Sequence, residues 1–260
     1  MKIIFLNTWG GKAYEPLMAF LSEHSASADF FCLQEVFDSP SSRTVSWGGR
    51  ADILADFRST LPEHEGYFSP AVQNFDGDEY MDFPLIHGNA IFAKKDITIA
   101  SHGDMLIAGD GWPDSGDIQA FPHKMQYVSF QKEGKMYTLA HLHGTPVPSS
   151  KRDTPARIAQ SQRVADFLAA EKGEKILGGD FNLLPDTESI RMIERAGMRN
   201  LITEYGITTT RNALSYGQYP EADRQYFADY AFVSSGVGVA HFAAPQMEIS
   251  DHLPLVLECT

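Results

Sequence analysis

Apolar positions along the chain come in two kinds of stretch, short continuous or alternating runs and longer runs of helical period, and the two kinds alternate from the first residue to the last. Residues 2–7 ("KIIFLN") predict a strand, and 14–25 predict a helix with Leu17, Met18 and Leu21 on one face and Pro16 in its first turn. Residues 29–34 ("DFFCLQ") predict a buried strand. A helix is expected over 51–61, carrying Ile53, Leu54, Phe57 and Leu61, followed by strands at 89–95, 126–131 and 136–142. Asp153, Thr154 and Pro155 form a helix start for 156–170, with Ile158, Ala165 and Leu168 inward. Strands at 175–178, 226–234 and 253–258, and a helix from about Thr187 closed by Gly197, complete the pattern. Runs such as "TLAHLHG" and "DYAFVS" suggest adjacent antiparallel strands. The expected fold is α/β, two packed sheets with helices outside, in one domain spanning 1–260.

Polar residues recur where these strands end. Asn7 closes the first, Gln34 and Glu35 the second, and His141 and His143 a middle one; Asp180 and Asn182 follow "KILGG", and Ser250, Asp251 and His252 precede the last. One strand-terminal Asp is ordinarily a turn or cap residue. Five such clusters at one end of a sheet are different, because converging carboxylates repel and lose hydration unless a cation or a proton offsets them. Glu35, Asp180 and Asp251 with Asn7 and Asn182 are hard oxygen donors, suited to Mg²⁺ or Mn²⁺. His252 can take a proton from water, with Asp229 fixing its tautomer. The glycines before Asp180 let backbone approach the site, while Phe181 points inward and Asp180 and Asn182 point out.

Composition narrows the partners. The 260 residues are 43% hydrophobic, and 21 Lys plus Arg against 34 Asp plus Glu give a net charge of −13, so there is no basic footprint for a long nucleic-acid backbone. Cys32 and Cys259 lack metal-ligand spacing, and the chain shows neither a secretory h-region nor a membrane-spanning run; a reducing cytoplasm is the expected setting. Nothing calls for an obligate protein partner.

The ordered set "LNTWGG" (6–11), "LQEV" (33–36), "HLHG" (141–144), "GDFN" (179–182), "DYAF" (229–232) and "SDHLP" (250–254) resembles the endonuclease/exonuclease/phosphatase superfamily of metal-dependent phosphoesterases. The resemblance implies a four-layer sandwich of two mixed sheets flanked by helices, and hydrolysis of a phosphoester by in-line attack of water. It implies that Asn7 and Glu35 hold the metal, that Asp251 assists it, and that His143 donates to a nonbridging phosphate oxygen. Asp180 and Asn182 orient nucleophile and phosphate, and His252 with Asp229 forms the base pair. Where the family reads Asn-x-His this chain has His141 and His143; residues two apart on a strand face the same way, so His141 stands as the alternative ligand.

Further candidates lie in loops. Trp112 in "DGWPD", like Trp9, lines a substrate groove or folds its loop onto the core. Lys151 and Arg152, with Arg157, follow the histidines where a phosphate-bearing substrate passes, or belong to a surface loop. The acidic "FDGDEYMDF" (75–83) fails the EF-hand spacing and reads as a solvated loop. Three functions follow: a phosphodiesterase or phosphatase acting on a small or lipid-like phosphoester, a DNA or RNA nuclease of the same fold, and a catalytically silent binding protein. Clustering of Lys12, Arg43, Arg50, Lys124, Lys151 and Arg211 at the mouth would favour the nuclease.

Overall fold

In the computed structural model, which describes residues 1–109 and 121–260, the strands form two six-stranded sheets. The first contains, in spatial order, β11 (Val239–Ala243), β12 (Leu255–Cys259), β1 (Lys2–Asn7), β2 (Phe30–Asp38), β4 (Ile86–Lys94) and β3 (His64–Gln73). The second contains β5 (Ile99–Ala108), β6 (His123–Lys132), β7 (Lys135–His143), β8 (Glu174–Asp180), β10 (Asp229–Ser234) and β9 (Met198–Asn200). Both are mixed. β1 and β2 pair in parallel, as do β7 and β8, and antiparallel partners flank them.

Alternation along the central strands feeds two interfaces. Ile3, Phe5, Phe30 and Cys32 meet Val128, Phe130, Leu139 and Ile176 between the sheets. Ile4, Leu6, Phe31 and Leu33 face the opposite way, onto α1 (Tyr14–His24) and α2 (Ile53–Thr60) through Leu17, Phe20, Leu54 and Phe57. Burial on both faces is why these strands read as unbroken apolar runs. The outer face of the second sheet is covered by α3 (Pro155–Ala170) and α4 (Glu188–Arg195) through Val164, Leu168, Ile190 and Ile193. The result is the four-layer α/β sandwich.

Local sequence explains the helix ends. Thr154 accepts the Arg157 amide at 3.2 Å with proline in the first turn, and Gly197, at φ +88°, follows α4 where a left-handed residue is needed. The buried face of α3 is Arg157, Gln160, Ser161, Val164 and Leu168, rotated from the expected one. Its first two turns bury polar side chains that hold the loop ahead of it. β10 begins at Asp229, three residues later than its apolar pattern suggests.

β3, β5, β9 and β11, which the sequence pattern does not single out, are the four edge strands. Edges keep polar side chains and breakers, as in "HEGYFSPAVQ" and "IASHGDMLIA", so they lack the apolar signature of the interior.

Candidate active site

Pairing register brings the polar strand ends together. Asn7 sits opposite Gln34 across β1 and β2, and in the other sheet Asp180 is flanked by His143 on β7 and Asp229 on β10. Both rows lie at the same edge, outside the carboxyl ends of parallel strands, where open α/β sheets place ligands. A register shift between Leu33 and Val36 puts Gln34 and Glu35 in a bulge, and Glu35 takes φ +54°. That bulge sends Gln34 into the core and Glu35 into the site. Trp9, Lys151 and Asn182 are also non-glycine residues with positive φ; each such conformation costs roughly 1–3 kcal/mol and persists where surrounding structure enforces it.

His252 and Asp229 are in direct contact. His252 Nδ1 lies 2.8 and 3.0 Å from the Asp229 carboxylate oxygens, leaving Nε2 free to face Asp180 Oδ2 at 3.7 Å and Asp251 Oδ1 at 3.8 Å. Thr210 Oγ1 accepts the amides of Ala228 and Asp229, and Ser250 Oγ donates to the Asn7 carbonyl while accepting the His252 amide. Burial works against a charged imidazole at 252, but Asp229, helped by Asp251 and Asp180, outweighs it and raises the pKa.

Asp180 Oδ2 is the hub. It accepts from Asn7 Nδ2 at 3.1 Å and lies 3.7 Å from both His143 Nε2 and His252 Nε2, while Oδ1 accepts the Asn182 amide at 2.8 Å. Burial would raise its pKa, yet His252, His143, Lys151 and Arg211 together drive it down. Glu35 Oε1 accepts from Asn7 Nδ2 at 2.9 Å and lies 3.7 Å from His143 Nε2; burial, reinforced by Asp251, raises its pKa. Asn182 Nδ2 donates to the Gly144 carbonyl. Phe181 is buried against Tyr230 and Phe232, both 5.5 Å away between ring centres, so it anchors the turn.

The geometry corrects several expectations. His141 does not reach the cavity: it is fully buried, with Nδ1 2.7 Å from Gln34 Nε2 and Nε2 3.0 Å from Gln126 Oε1. It sits two residues deeper between the sheets than His143, which emerges where they part. Asn7 donates Nδ2 to Glu35 and Asp180 and accepts the Trp9 amide on Oδ1, so it positions both carboxylates while Oδ1 keeps one lone pair for a further partner. Arg152 is exposed and paired with Asp186 at 2.5 Å. Arg157 is fully buried and donates to the carbonyls of Arg152, Thr145 and Pro148. Asp76 of the acidic loop is buried and accepts the amides of Ser46, Asp78 and Glu79, which makes it a turn anchor. Trp112 lies outside the described residues.

A cavity of about 500 Å³ opens onto Glu35, His143, Asp180, Asn182, Asp251 and His252, with Trp9 also on its wall. His87 and His123, which the sequence reading passed over, line it too. A neighbouring cavity of about 800 Å³ holds Lys151, Arg152 and Arg224 and shares Asn182 and Arg211 with the first.

The oxygen-rich donor set fits a hard divalent ion. Glu35 and Asp251 repel each other at a buried site, which is the imbalance a cation relieves. Asp180, Asp229 and His252 also cluster tightly enough to hold a metal, but His252 Nδ1 and the Asp229 carboxylate are committed to one another.

A family model matches residues 4–252 and describes the endonuclease/exonuclease/phosphatase family. The chain belongs to that family. Family members are phosphoesterases that generally use a divalent metal, and the buried acidic and histidine group is able to bind one. No curated protein matches the chain in sequence. Among solved structures it is similar to a family protein from Leptotrichia buccalis, with a TM-score of 0.74 and 14% identity, over 100% of this chain and 99% of that one. It is similar to a mannosyl-6-phosphatase from Bacteroides thetaiotaomicron (TM-score 0.65, 17% identity, 100% and 99% covered). A humanized TDP2 from D. rerio follows at TM-score 0.66, with 14% identity and 99% and 97% covered. At these identities the likeness is one of fold.

Proposed function

We propose that the protein is a Mg²⁺- or Mn²⁺-dependent hydrolase that cleaves a phosphoester, most favourably a phosphodiester of a small or lipid-like molecule, by in-line attack of water. The observation that carries this reading is His252, oriented on Nδ1 by Asp229 with Nε2 aimed at the space between Asp180 and Asp251. Water attacks phosphorus as the bond to the leaving oxygen breaks. His252 Nε2 receives the proton of the water, and Asp180, held by Asn7 and the Asn182 amide, fixes its direction. His143 Nε2 donates to a nonbridging oxygen, whose charge grows toward the transition state. Glu35 and Asp251 would hold the metal, with Asn7 keeping Glu35 in place; the ion supplies Lewis-acid stabilisation of the phosphoryl oxygens.

The nuclease reading is less well supported, because half of the cations it needs are paired with carboxylates away from the site. Arg43 pairs with Asp82, Arg50 with Asp56, and Lys124 with Asp104. Of the six candidates, Lys151 and Arg211 reach the site, and Lys12 lies over Trp9 on its wall. The structural neighbours include proteins described as a phosphatase and as TDP2, so fold likeness leaves monoester and diester open.

Turnover of a chromogenic phosphodiester and the matching monoester, with Mg²⁺, Mn²⁺ or chelator, tests the proposal. Metal-dependent release that Glu35→Gln weakens, together with metal affinity and at an unchanged melting temperature, is the expected result. No turnover of either ester, or of nucleic acid, sphingolipid, inositol phosphate and nucleotide diester, would point to the binding protein.

A further inference from the structure

The cavity beside the catalytic one is opposite to it in charge. Among the described residues the catalytic cavity is lined by five acids and one Lys or Arg, Arg211, whereas the side cavity of about 800 Å³ is lined by four cations, Lys151, Arg152, Arg211 and Arg224, and one acid, Asp223. In a chain of net charge −13 such a reversal does not follow from composition. Arg152 is paired with Asp186 and Arg211 with Asp251, neither of which lines the side cavity. The other two cations have no such partner. Lys151 is buried, 5% exposed, and its Nζ has no hydrogen-bond partner. Arg224 donates Nε to the Tyr219 carbonyl at 3.1 Å and lies over the Tyr216 ring, and neither contact is an anion.

Backbone contacts hold these cations where they are. A long flexible ammonium can almost always swing out to water, so one retained inside without a partner requires a cause. Lys151 takes φ +53°, a conformation that disfavours every residue with a Cβ, and is tied by its amide to the Pro148 carbonyl and by its carbonyl to the Leu184 amide. Arg157 clamps the same loop at Thr145, Pro148 and Arg152. Gln225, next to Arg224, donates Nε2 to the Ser149 carbonyl at 2.7 Å, so the two loops that carry the unpaired cations are latched to each other. The two cavities meet at Asn182 and Arg211. A phosphoester whose reacting phosphate lies against His143 and Asn182 therefore extends from an acidic chamber into a basic one, where the second chamber offers charge that the first phosphate does not use.

We propose that the side cavity is a subsite for a second anionic group of the substrate, a phosphate or a carboxylate carried on the same molecule as the reacting phosphoester and bound by Lys151 and Arg224. This rests on the phosphoesterase reading above and narrows it from small phosphoesters in general to those with a further negative charge. Two unpaired cations suit one such group; a nucleic-acid backbone is gripped by many.

Three chromogenic phosphodiesters of one skeleton, whose second alcohol ends in a hydroxyl, a carboxylate or a phosphate, test it. The native chain should turn over at least one charged ester with a kcat/KM about tenfold or more above that of the hydroxyl ester, chiefly through KM, since a hydrogen bond to a charged group is worth that order. Whichever charged ester gains more identifies the group. Arg224→Gln and Lys151→Met should each bring the ratio of charged to uncharged ester close to one, and Arg224→Gln, on a half-buried loop, carries the test should Lys151→Met melt early. Equal kcat/KM for the three esters on the native chain, or a ratio unchanged in Arg224→Gln and in well-folded Lys151→Met, overturns the proposal. So does a further gain from the third and fourth phosphates of an oligonucleotide, which would mark a nucleic-acid channel. No turnover of any ester instead removes the phosphoesterase reading beneath it, and the same ratios measured as calorimetric affinities then decide the subsite.

Discussion

His252 and the two histidines of β7 show what single side chains decide. His252→Ala should lose about 10²–10⁴-fold in turnover, the range for a general base, and Asp229→Asn should lose less because it only orients the ring. Retained turnover in His252→Ala would transfer the base role to Asp180. His143→Ala should lower kcat by about 10²–10³ with little change in KM, as expected for a donor that acts on charge developing in the transition state. His141→Ala should instead destabilise the fold by about 2–5 kcal/mol, through a cavity and the orphaning of Gln34 and Gln126. Kinetics with melting temperatures separate the two. The contact between His252 and Asp229 was legible because "DYAF" and "SDH" are ordered motifs. The split between His141 and His143 was not, since both face the same way and only depth between the sheets distinguishes them. Arg211 was an isolated arginine in "TTTRNA"; its role comes from a bridge to the His252 backbone that no local pattern encodes.

At the scale of the element, the end of β8 concentrates the constraints. Gly179 has φ +116°, and a Cβ there would collide with the Leu142 carbonyl; a Cβ on Gly178 would come within 2.6 Å of the Phe5 ring. The first glycine is needed so the sheets can approach, and the second so the strand can turn Asp180 toward the site. Gly179→Ala should cost at least about 1–3 kcal/mol from the strained backbone alone, with β7 displaced in addition. Gly178→Ala meets a ring that can shift, so its cost should be the smaller of the two. Denaturant midpoints of both variants decide the order. The interior elements were readable from the sequence because burial on both faces makes continuous apolar runs. Edge strands were not, and neither was the bulge at Glu35, because a two-against-one register arises only when β2 meets β4.

For the whole molecule, the balance of buried histidines sets its response to acid. His87, His123 and His141 are each pushed down to about 3, burial being the largest cause in every case and the neighbouring His143 the next. Unfolded, each titrates near 6.5, so between that value and about 3 the unfolded chain binds three protons that the native chain refuses. Stability contributed by neutral burial is therefore full above the unfolded pKa and is lost as pH falls through this window. Each proton is worth about 1.4 kcal/mol per pH unit, so the three should lower stability by roughly 4 kcal/mol per unit. His24 and His64, also depressed by burial, act in the same direction. Asp76 and Asp153, whose carboxyls are held below their ordinary values, begin to contribute only under about pH 4. Between pH 6 and 4.5 the three histidines should set the sign of the slope, with Glu35 and Asp229, whose pKa values burial raises, opposing them by taking up protons in the folded chain. Urea midpoints across that interval should fall steeply, and His141→Gln, neutral and still able to meet Gln34 or Gln126, should lower the slope by about one proton while costing stability at pH 7. A flat profile from pH 6.5 to 4.5 would mean that these imidazoles admit protons while the chain stays folded.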